Sequence, residues 1–140
     1  MAGKKTEHWL SIVGIGEDGF EGLTAEALAH IEAAEVLVGG ERHLAKLDDD
    51  GRERLSWGSP LEKTVQTLLA RRDRRGCILA SGDPLCYGIA NRIVREIGSD
   101  GVVVVPHHSA FTLASARLGW DRARVETLTL HGRPLERLVP

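Results

Sequence analysis

The chain has 140 residues, 42% hydrophobic and 27% charged, with a formal net charge of −2 at pH 7, which suits one globular domain and argues against disorder. The near-neutral charge does not favour nucleic acid or an anionic membrane as a partner, and no apolar run approaches the roughly 18 residues of a membrane helix. The first residues are polar and unlike a signal peptide, so we predict a cytoplasmic protein.

Apolar runs and helical patterns alternate from the start of the chain. Residues 9–15 form a β-rich run, and a helix is expected from about Thr24, whose hydroxyl suits an N-cap. Residues 36–38 are predicted as a short buried strand that ends at a Gly-Gly pair. A second helix is expected over residues 41–47, followed by a turn at 48–51.

The third helix carries the clearest start signal in the chain. Ser59, Pro60 and Glu62 stand where an N-cap serine, a first-turn proline and the glutamate of a capping box are expected. An apolar stripe at helical spacing follows, and the segment ends at Gly76. The sequence therefore predicts a helix that begins directly after Ser59.

The second half continues the alternation. Residues 77–80 and 102–105 are continuously apolar and are predicted as buried strands. Helices are predicted over residues 89–97, where Gly98 follows, and over 111–118. A further strand is expected near residues 125–130.

Continuously apolar strands separated by amphipathic helices predict an α/β fold with an open, mainly parallel sheet and helices on both faces. Right-handed crossovers place the carboxyl ends of such strands along one edge, where ligands bind in open sheets. The loops expected at that edge are residues 14–23, 39–42, 81–88 and 106–110.

The first loop matches the dinucleotide-binding pattern G-x-G-x-x-G through Gly14, Gly16 and Gly19. Two features disagree with that interpretation. The helix begins several residues after Gly19, and the second strand leads to Gly39 and Gly40 instead of an acidic residue that would bind ribose. An NAD(P)-binding oxidoreductase domain and a loop without a ligand both remain as alternatives.

Six segments in order resemble the tetrapyrrole methylase superfamily. The first loop with its Gly-Leu-Thr helix start, the Gly-Asp-Pro loop at 81–88 and the loop at 106–110 are similar to that superfamily. Residues 38–44, 116–119 and 131–134 resemble its precorrin-6Y methyltransferase branch. The resemblance covers residues 8–134 and implies an amino-terminal tetrapyrrole methylase α/β domain.

The resemblance implies a function and a set of ligand contacts. It implies methylation of a precorrin macrocycle (precorrin-6Y or 6B, at C5) in cobalamin biosynthesis, with S-adenosylmethionine as methyl donor. No catalytic base is assigned, because methyl transfer depends mainly on alignment of the two reactants. The residues implied to contact the donor are Ser81, Gly82, Asp83, Cys86, Tyr87, Ser109 and Ala110. The residues implied to contact the macrocycle are Gly14, Gly16, Arg42, Arg117 and Arg133, with His43 and His131 as further candidates.

Several of these residues have a structural alternative. Asp83 is equally explained as a turn or N-cap residue, Ser109 as an N-cap, and Cys86 as a small core residue. The arginines equally suit the protein surface. His107 and His108 do not indicate a metal site, because adjacent loop residues seldom bind one ion, and no metal is expected.

The chain also departs from the family pattern. Glu17 replaces a frequent proline, and the two histidines replace small residues in the fourth loop. Members of the superfamily continue into a second methylase domain, whereas this sequence ends at Pro140. We therefore expect the 140 residues alone to be inactive, with self-association into a homo-oligomer through the surface near residues 131–134. A non-catalytic assembly domain is the remaining alternative.

Overall fold

The computed structural model describes residues 8–131 and 133–138. Within them the chain divides into two compact units, one that ends at His107 and one that begins at His108. Across these described ranges, no helix has the length and apolarity that a bilayer crossing requires.

The first unit is built on one sheet of five parallel strands. The strands are β1 (Leu10–Ile15), β2 (Val36–Gly39), β3 (Glu53–Ser56), β4 (Gly76–Ser81) and β5 (Val102–Val105). Their spatial order is β3-β2-β4-β1-β5, so the third and fifth strands form the edges.

Helices cover both faces of this sheet because side chains alternate along each strand. On one face Ile12 and Ile78 pack against α3 (Leu61–Leu69) and α4 (Ile89–Ile97). On the other face Val13 packs in the core that includes α1 (Ala25–Ala33) and α2 (Glu41–Leu44). The predicted α/β class with a parallel sheet covered on both faces is confirmed.

The direction of the chain across the sheet reverses around β4. From β1 the chain passes beyond β4 to β2 and then β3, and it returns to β4 before passing beyond β1 to β5. The connections after β1 and β2 use the α1–α2 face, whereas those after β3 and β4 use the other face. The loop after β4 therefore lies at a topological switch point, where ligands bind in open α/β sheets.

The second unit contains one regular helix, α5 (Ala110–Leu118), within its described residues. The Ser109 hydroxyl caps this helix by accepting from the Thr112 amide at 3.1 Å. Short 3-10 turns follow at Arg122–Arg124 and Leu135–Leu138. The Arg122 guanidinium lies 5.9 Å from the centre of the Phe111 ring.

One strand was not predicted, and one predicted strand was wrong. Strand β3 is missing from the prediction because it is a half-buried edge strand with the polar sequence Glu-Arg-Leu-Ser and pairs only with β2. Conversely, residues 125–130 join no sheet in the described part of the chain. Their β-rich composition predicts a strand, but β-propensity produces one only beside a pairing partner.

Two helix ends also differ from the prediction. Pro60 is the N-cap of α3 in an extended conformation (ψ 154°), so Ser59 lies outside the helix and no capping box forms. The Gly58 amide instead donates to the Thr64 hydroxyl at 3.0 Å. Helix α2 ends at Leu44 rather than residue 47, and the Arg54 guanidinium donates to the Leu44 and Leu47 carbonyls.

Candidate functional site

The β4 loop, residues 81–88, is hydrogen-bonded to the end of β1 and to the loop that follows β5. The Gly82 amide donates to the Ile15 carbonyl at 2.7 Å, and the Gly82 carbonyl accepts from the His107 amide at 3.1 Å. Gly82 has φ +60°, a left-handed conformation that favours glycine. Backbone hydrogen bonds therefore fix the start of the loop between the carboxyl ends of β1 and β5.

Gly14 and Gly16 of the first loop lie close to other parts of the protein. A Cβ atom at Gly14 would overlap the Gly82 carbonyl oxygen and lie 2.7 Å from the His107 amide nitrogen. A Cβ atom at Gly16 would lie 2.6 Å from Cε1 of the His107 ring. The backbone atoms near Gly14 require glycine at that position, whereas the atoms nearest Gly16 belong to side chains, and contact of either glycine with a macrocycle stays a prediction.

Inside the β4 loop, Asp83 holds the backbone. Its carboxylate accepts from the Leu85 amide at 2.9 Å, and its carbonyl accepts from the Cys86 amide at 3.0 Å. The Pro84 carbonyl then accepts from the Ala90 amide, which joins the loop to the first turn of α4. The structural role of Asp83 is therefore observed, and a bond from Asp83 to a donor stays a prediction.

The loop directs several of its side chains outward from this fixed base. Leu85 is 48% exposed and Tyr87 is 43% exposed. Pro84, which precedes them in the loop, is buried. Cys86 is half-buried. Tyr87 adopts φ +55°, a conformation that costs a non-glycine residue roughly 1–2 kcal/mol. Strained residues of this kind cluster at ligand sites, which favours a binding role for the loop.

A histidine from the neighbouring strand end contacts the loop. His43 lies on α2, directly after β2, and its Nε2 atom is 3.4 Å from the Ser81 hydroxyl. Burial, and then the charges of Lys46 and Arg42, hold the pKa of the His43 imidazole below its usual value. The ring is therefore mainly neutral at pH 7. Arg42 is exposed on the same helix.

Sequence reasoning grouped His43 with the macrocycle contacts and missed its proximity to Ser81. For His107 it rejected a metal role and assigned no other, whereas the His107 amide and ring complete the packing around the first loop. The order of the strands brings these residues together, since β2 and β1 are the two neighbours of β4.

Besides the further candidate His131, four predicted site residues belong to the second unit. Ser109 is the N-cap of α5, as its structural alternative proposed, and Ala110 is the first residue of that helix. Arg117 is exposed in the last turn of α5. Arg133 is exposed, and its amide donates to the Leu130 carbonyl at 3.0 Å. Their ligand contacts stay predictions, and Gly132 of the same motif lies outside the described residues.

The geometry of the first loop differs from that of a dinucleotide site. Gly19–Gly22 forms a 3-10 turn, and α1 begins only at Ala25, so no helix N-terminus follows the glycines directly. In residues 8–131 and 133–138 no three His, Cys, Asp or Glu residues are grouped closely enough to hold a metal ion.

Comparison with known proteins identifies a family over nearly the whole chain. The family model of the Tetrapyrrole (Corrin/Porphyrin) Methylases matches residues 10–139. A precorrin-6Y C(5,15)-methyltransferase [decarboxylating] of Sinorhizobium sp is 42% identical over 94% of this chain. A cobalt-precorrin-7 C(5)-methyltransferase of Salmonella typhimurium is 39% identical over 89% of it.

Two solved structures share the fold. The cobalamin biosynthesis precorrin-6Y methylase of Archaeoglobus fulgidus is 30% identical with a TM-score of 0.66, covering 91% of this chain and 66% of that one. The uroporphyrin-III C-methyl transferase of Thermus thermophilus, complexed with S-adenosylhomocysteine, is 29% identical with a TM-score of 0.58, covering 76% and 51%. The chain spans 32% of the Sinorhizobium relative and 62% of the Salmonella relative.

Proposed function

The chain belongs to the tetrapyrrole (corrin/porphyrin) methylase family, and from this membership we propose that it is a methyltransferase domain acting on a precorrin macrocycle in cobalamin biosynthesis. The methyl donor is S-adenosylmethionine, and the acceptor is the C5 position of precorrin-6Y or a closely related precorrin. The names of the two relatives, both of which include methylation at C5, support this choice.

The observation that carries the proposal is the position of the β4 loop. The segment that resembles the family's Gly-Asp-Pro loop is also the loop at the switch point of the sheet. Backbone hydrogen bonds hold its first residues, and Leu85 and Tyr87 extend outward from it. A fixed backbone beside exposed apolar and aromatic side chains suits a ligand such as S-adenosylmethionine, which has a flat adenine ring and several polar groups.

The donor would be held by Ser81, Gly82, Asp83, Cys86 and Tyr87, with Ser109 and Ala110 as predicted contacts of the second unit. S-adenosylmethionine supplies a methyl group activated by its sulfonium charge. The protein's contribution is to bind, align and exclude water, since in-line displacement at carbon depends chiefly on geometry. A loop whose backbone is already fixed loses little entropy when a ligand binds to it.

On the macrocycle side we propose Arg42, Arg117 and Arg133 as partners for substrate carboxylates. Guanidinium groups form paired hydrogen bonds with carboxylates, and all three residues are exposed. Gly14 and Gly16 would present backbone to the flat ring. We further propose that residues 8–134 act as the amino-terminal domain of a longer, two-domain methylase, as the length of the relatives suggests. Homo-oligomer formation stays a prediction.

A methyl-transfer assay tests this function. The protein that carries this chain is incubated with a precorrin acceptor and S-adenosylmethionine labelled in its methyl group, and we expect label at C5 of the product. Asp83→Ala removes the carboxylate that shapes the β4 loop and should reduce turnover about tenfold or more, because small misplacements of aligned reactants are costly.

The matched control is Asp100→Ala. Asp100 is exposed and lies just before β5, at the amino ends of the strands and away from the β4 loop, so this variant should retain turnover. Failure of the wild-type protein to label any precorrin would contradict the proposed activity. Equal turnover in the two variants would show that the β4 loop does not position the donor.

A further inference from the structure

The β4 loop is fixed at its first two residues by different neighbours. At Gly82 the constraint is on the backbone, through the Ile15 carbonyl and the His107 amide. At Ser81 the contact is to the side chain, where the hydroxyl lies 3.4 Å from Nε2 of His43. Ser81 is the last residue of β4, and its side chain is exposed at the edge of the sheet. A hydrogen bond to a neighbouring polar side chain would therefore favour one rotamer of the Ser81 side chain.

His43 is well placed to be that partner. It lies in a four-residue helix that begins directly after β2, and the Arg54 guanidinium fixes the end of that helix through the Leu44 carbonyl at 3.0 Å. The imidazole is half-buried, with its Nε2 atom directed to Ser81. A neutral imidazole can accept from a serine hydroxyl through one tautomer or donate to it through the other.

We infer that His43 is a positioning residue that acts through Ser81, holding the Ser81 hydroxyl in the orientation that receives the methyl donor. The inference rests on the proposed function, because it assigns a purpose to a contact at the donor loop. It moves His43 from the macrocycle side of the site to the donor side. It also gives a role on the donor side to α2, which carries Arg42 as a proposed macrocycle contact.

The hydrogen bond has a defined consequence for affinity. A serine hydroxyl that is already oriented loses no rotational freedom when a ligand binds to it. Without His43, the hydroxyl is free to rotate and its contribution to donor binding is reduced. We expect His43→Leu to weaken S-adenosylhomocysteine binding about three- to tenfold, the range of one ordinary hydrogen bond.

The test is a double-mutant cycle on S-adenosylhomocysteine affinity, measured by calorimetric titration of the protein that carries this chain. The variants are His43→Leu, Ser81→Ala and the combination. His43→Gln places an amide where Nε2 was and should bind within about twofold of the wild type, since it retains one hydrogen bond to Ser81. His30→Leu, on α1, controls for the loss of a histidine elsewhere.

We expect the combined variant to be no weaker than Ser81→Ala alone, because His43 acts only through that hydroxyl. Additive losses, a His43→Leu affinity equal to that of the wild type, or failure of His43→Gln to restore binding would each overturn the inference. Thermal unfolding of every variant separates these results from misfolding. If the wild-type protein itself does not bind S-adenosylhomocysteine, the proposed function fails instead.

Discussion

Gly14 is the residue at which the carboxyl ends of three strands meet. A methyl group there would overlap the Gly82 carbonyl and contact the His107 amide, and both are backbone atoms of hydrogen-bonded segments. We expect Gly14→Ala to lower the free energy of unfolding by roughly 2–3 kcal/mol, near the upper end for overpacking, because neither neighbour can rotate away.

Urea denaturation measures this loss against Gly58→Ala. A Cβ atom at Gly58 would meet only the Thr64 hydroxyl at an ordinary 3.5 Å, so that variant should stay within about 0.5 kcal/mol of the wild type. Equal stabilities for the two variants would refute the close packing of the three strand ends.

The two thiols should differ sharply in reactivity. Cys77 has no exposed surface, and burial raises its pKa to about 11, so only roughly one thiol in a thousand is ionised at pH 8. Cys86 is half-buried in the β4 loop. We expect a thiol reagent at pH 8 to modify Cys86 much faster than Cys77, and S-adenosylhomocysteine to slow that reaction.

Mass spectrometry of peptides after timed labelling distinguishes the two cysteines. Comparable labelling of both in the folded protein would contradict the burial of Cys77. A Cys86 rate that is unchanged by saturating S-adenosylhomocysteine would remove Cys86 from the proposed donor contacts.

Part of the site could be predicted from individual residues of the sequence. Glycines in the first loop allow another group to approach the backbone closely, and such an approach is observed at Gly14. The sequence could not identify that group as Gly82, because a glycine allows a close neighbour without indicating which residue it is. Likewise, Asp83 followed by Pro84 predicted a turn, and the bond from the Leu85 amide is that turn.

At the scale of elements, α1 depends on an arginine outside the helix. The Arg52 guanidinium donates to the Ile31 carbonyl at 2.6 Å and to the Ala34 carbonyl at 3.0 Å, and it pairs with Asp50 at 2.7 Å. Cations stabilise helix carboxyl ends by satisfying carbonyls that lack partners. We expect Arg52→Ala to lower the free energy of unfolding by about 1–3 kcal/mol.

The comparison variant is Arg95→Ala, which removes an exposed arginine from α4 and should change stability by less than about 0.5 kcal/mol. Urea denaturation of the two proteins decides the matter. If Arg52→Ala is as stable as Arg95→Ala, the contacts to the end of α1 contribute nothing measurable.

Elements defined by local signals were predicted well, and those defined by distant partners were not. Helix α4 has the predicted bounds because both signals are local: an apolar stripe runs along the helix, and Gly98 directly follows its last residue. The Leu44 carbonyl at the end of α2 is bound by Arg54 from the following strand, a contact that no local pattern reveals. Strand β3 is polar because it lies at the sheet edge, and its position follows from pairing with β2.

At the scale of the whole chain, the alternation of strands and helices was sufficient to predict a parallel sheet with its loops along one edge. The order of the strands was not predictable in the same way, since β4 lies between β1 and β2 through two crossovers. That order determines which loops meet. It brings Ser81 to His43 and Gly82 to His107, and so it defines the candidate site.

Hydrogen exchange tests the central claim, that the β4 loop binds the methyl donor. Exchange of backbone amides is measured by mass spectrometry on the protein that carries this chain, with and without saturating S-adenosylhomocysteine. We predict slower exchange in peptides that cover residues 81–88, and unchanged exchange near Gly98 and Gly101 at the opposite edge of the sheet. Protection that spares residues 81–88 while it appears elsewhere, or no protection at a saturating concentration, would contradict the account.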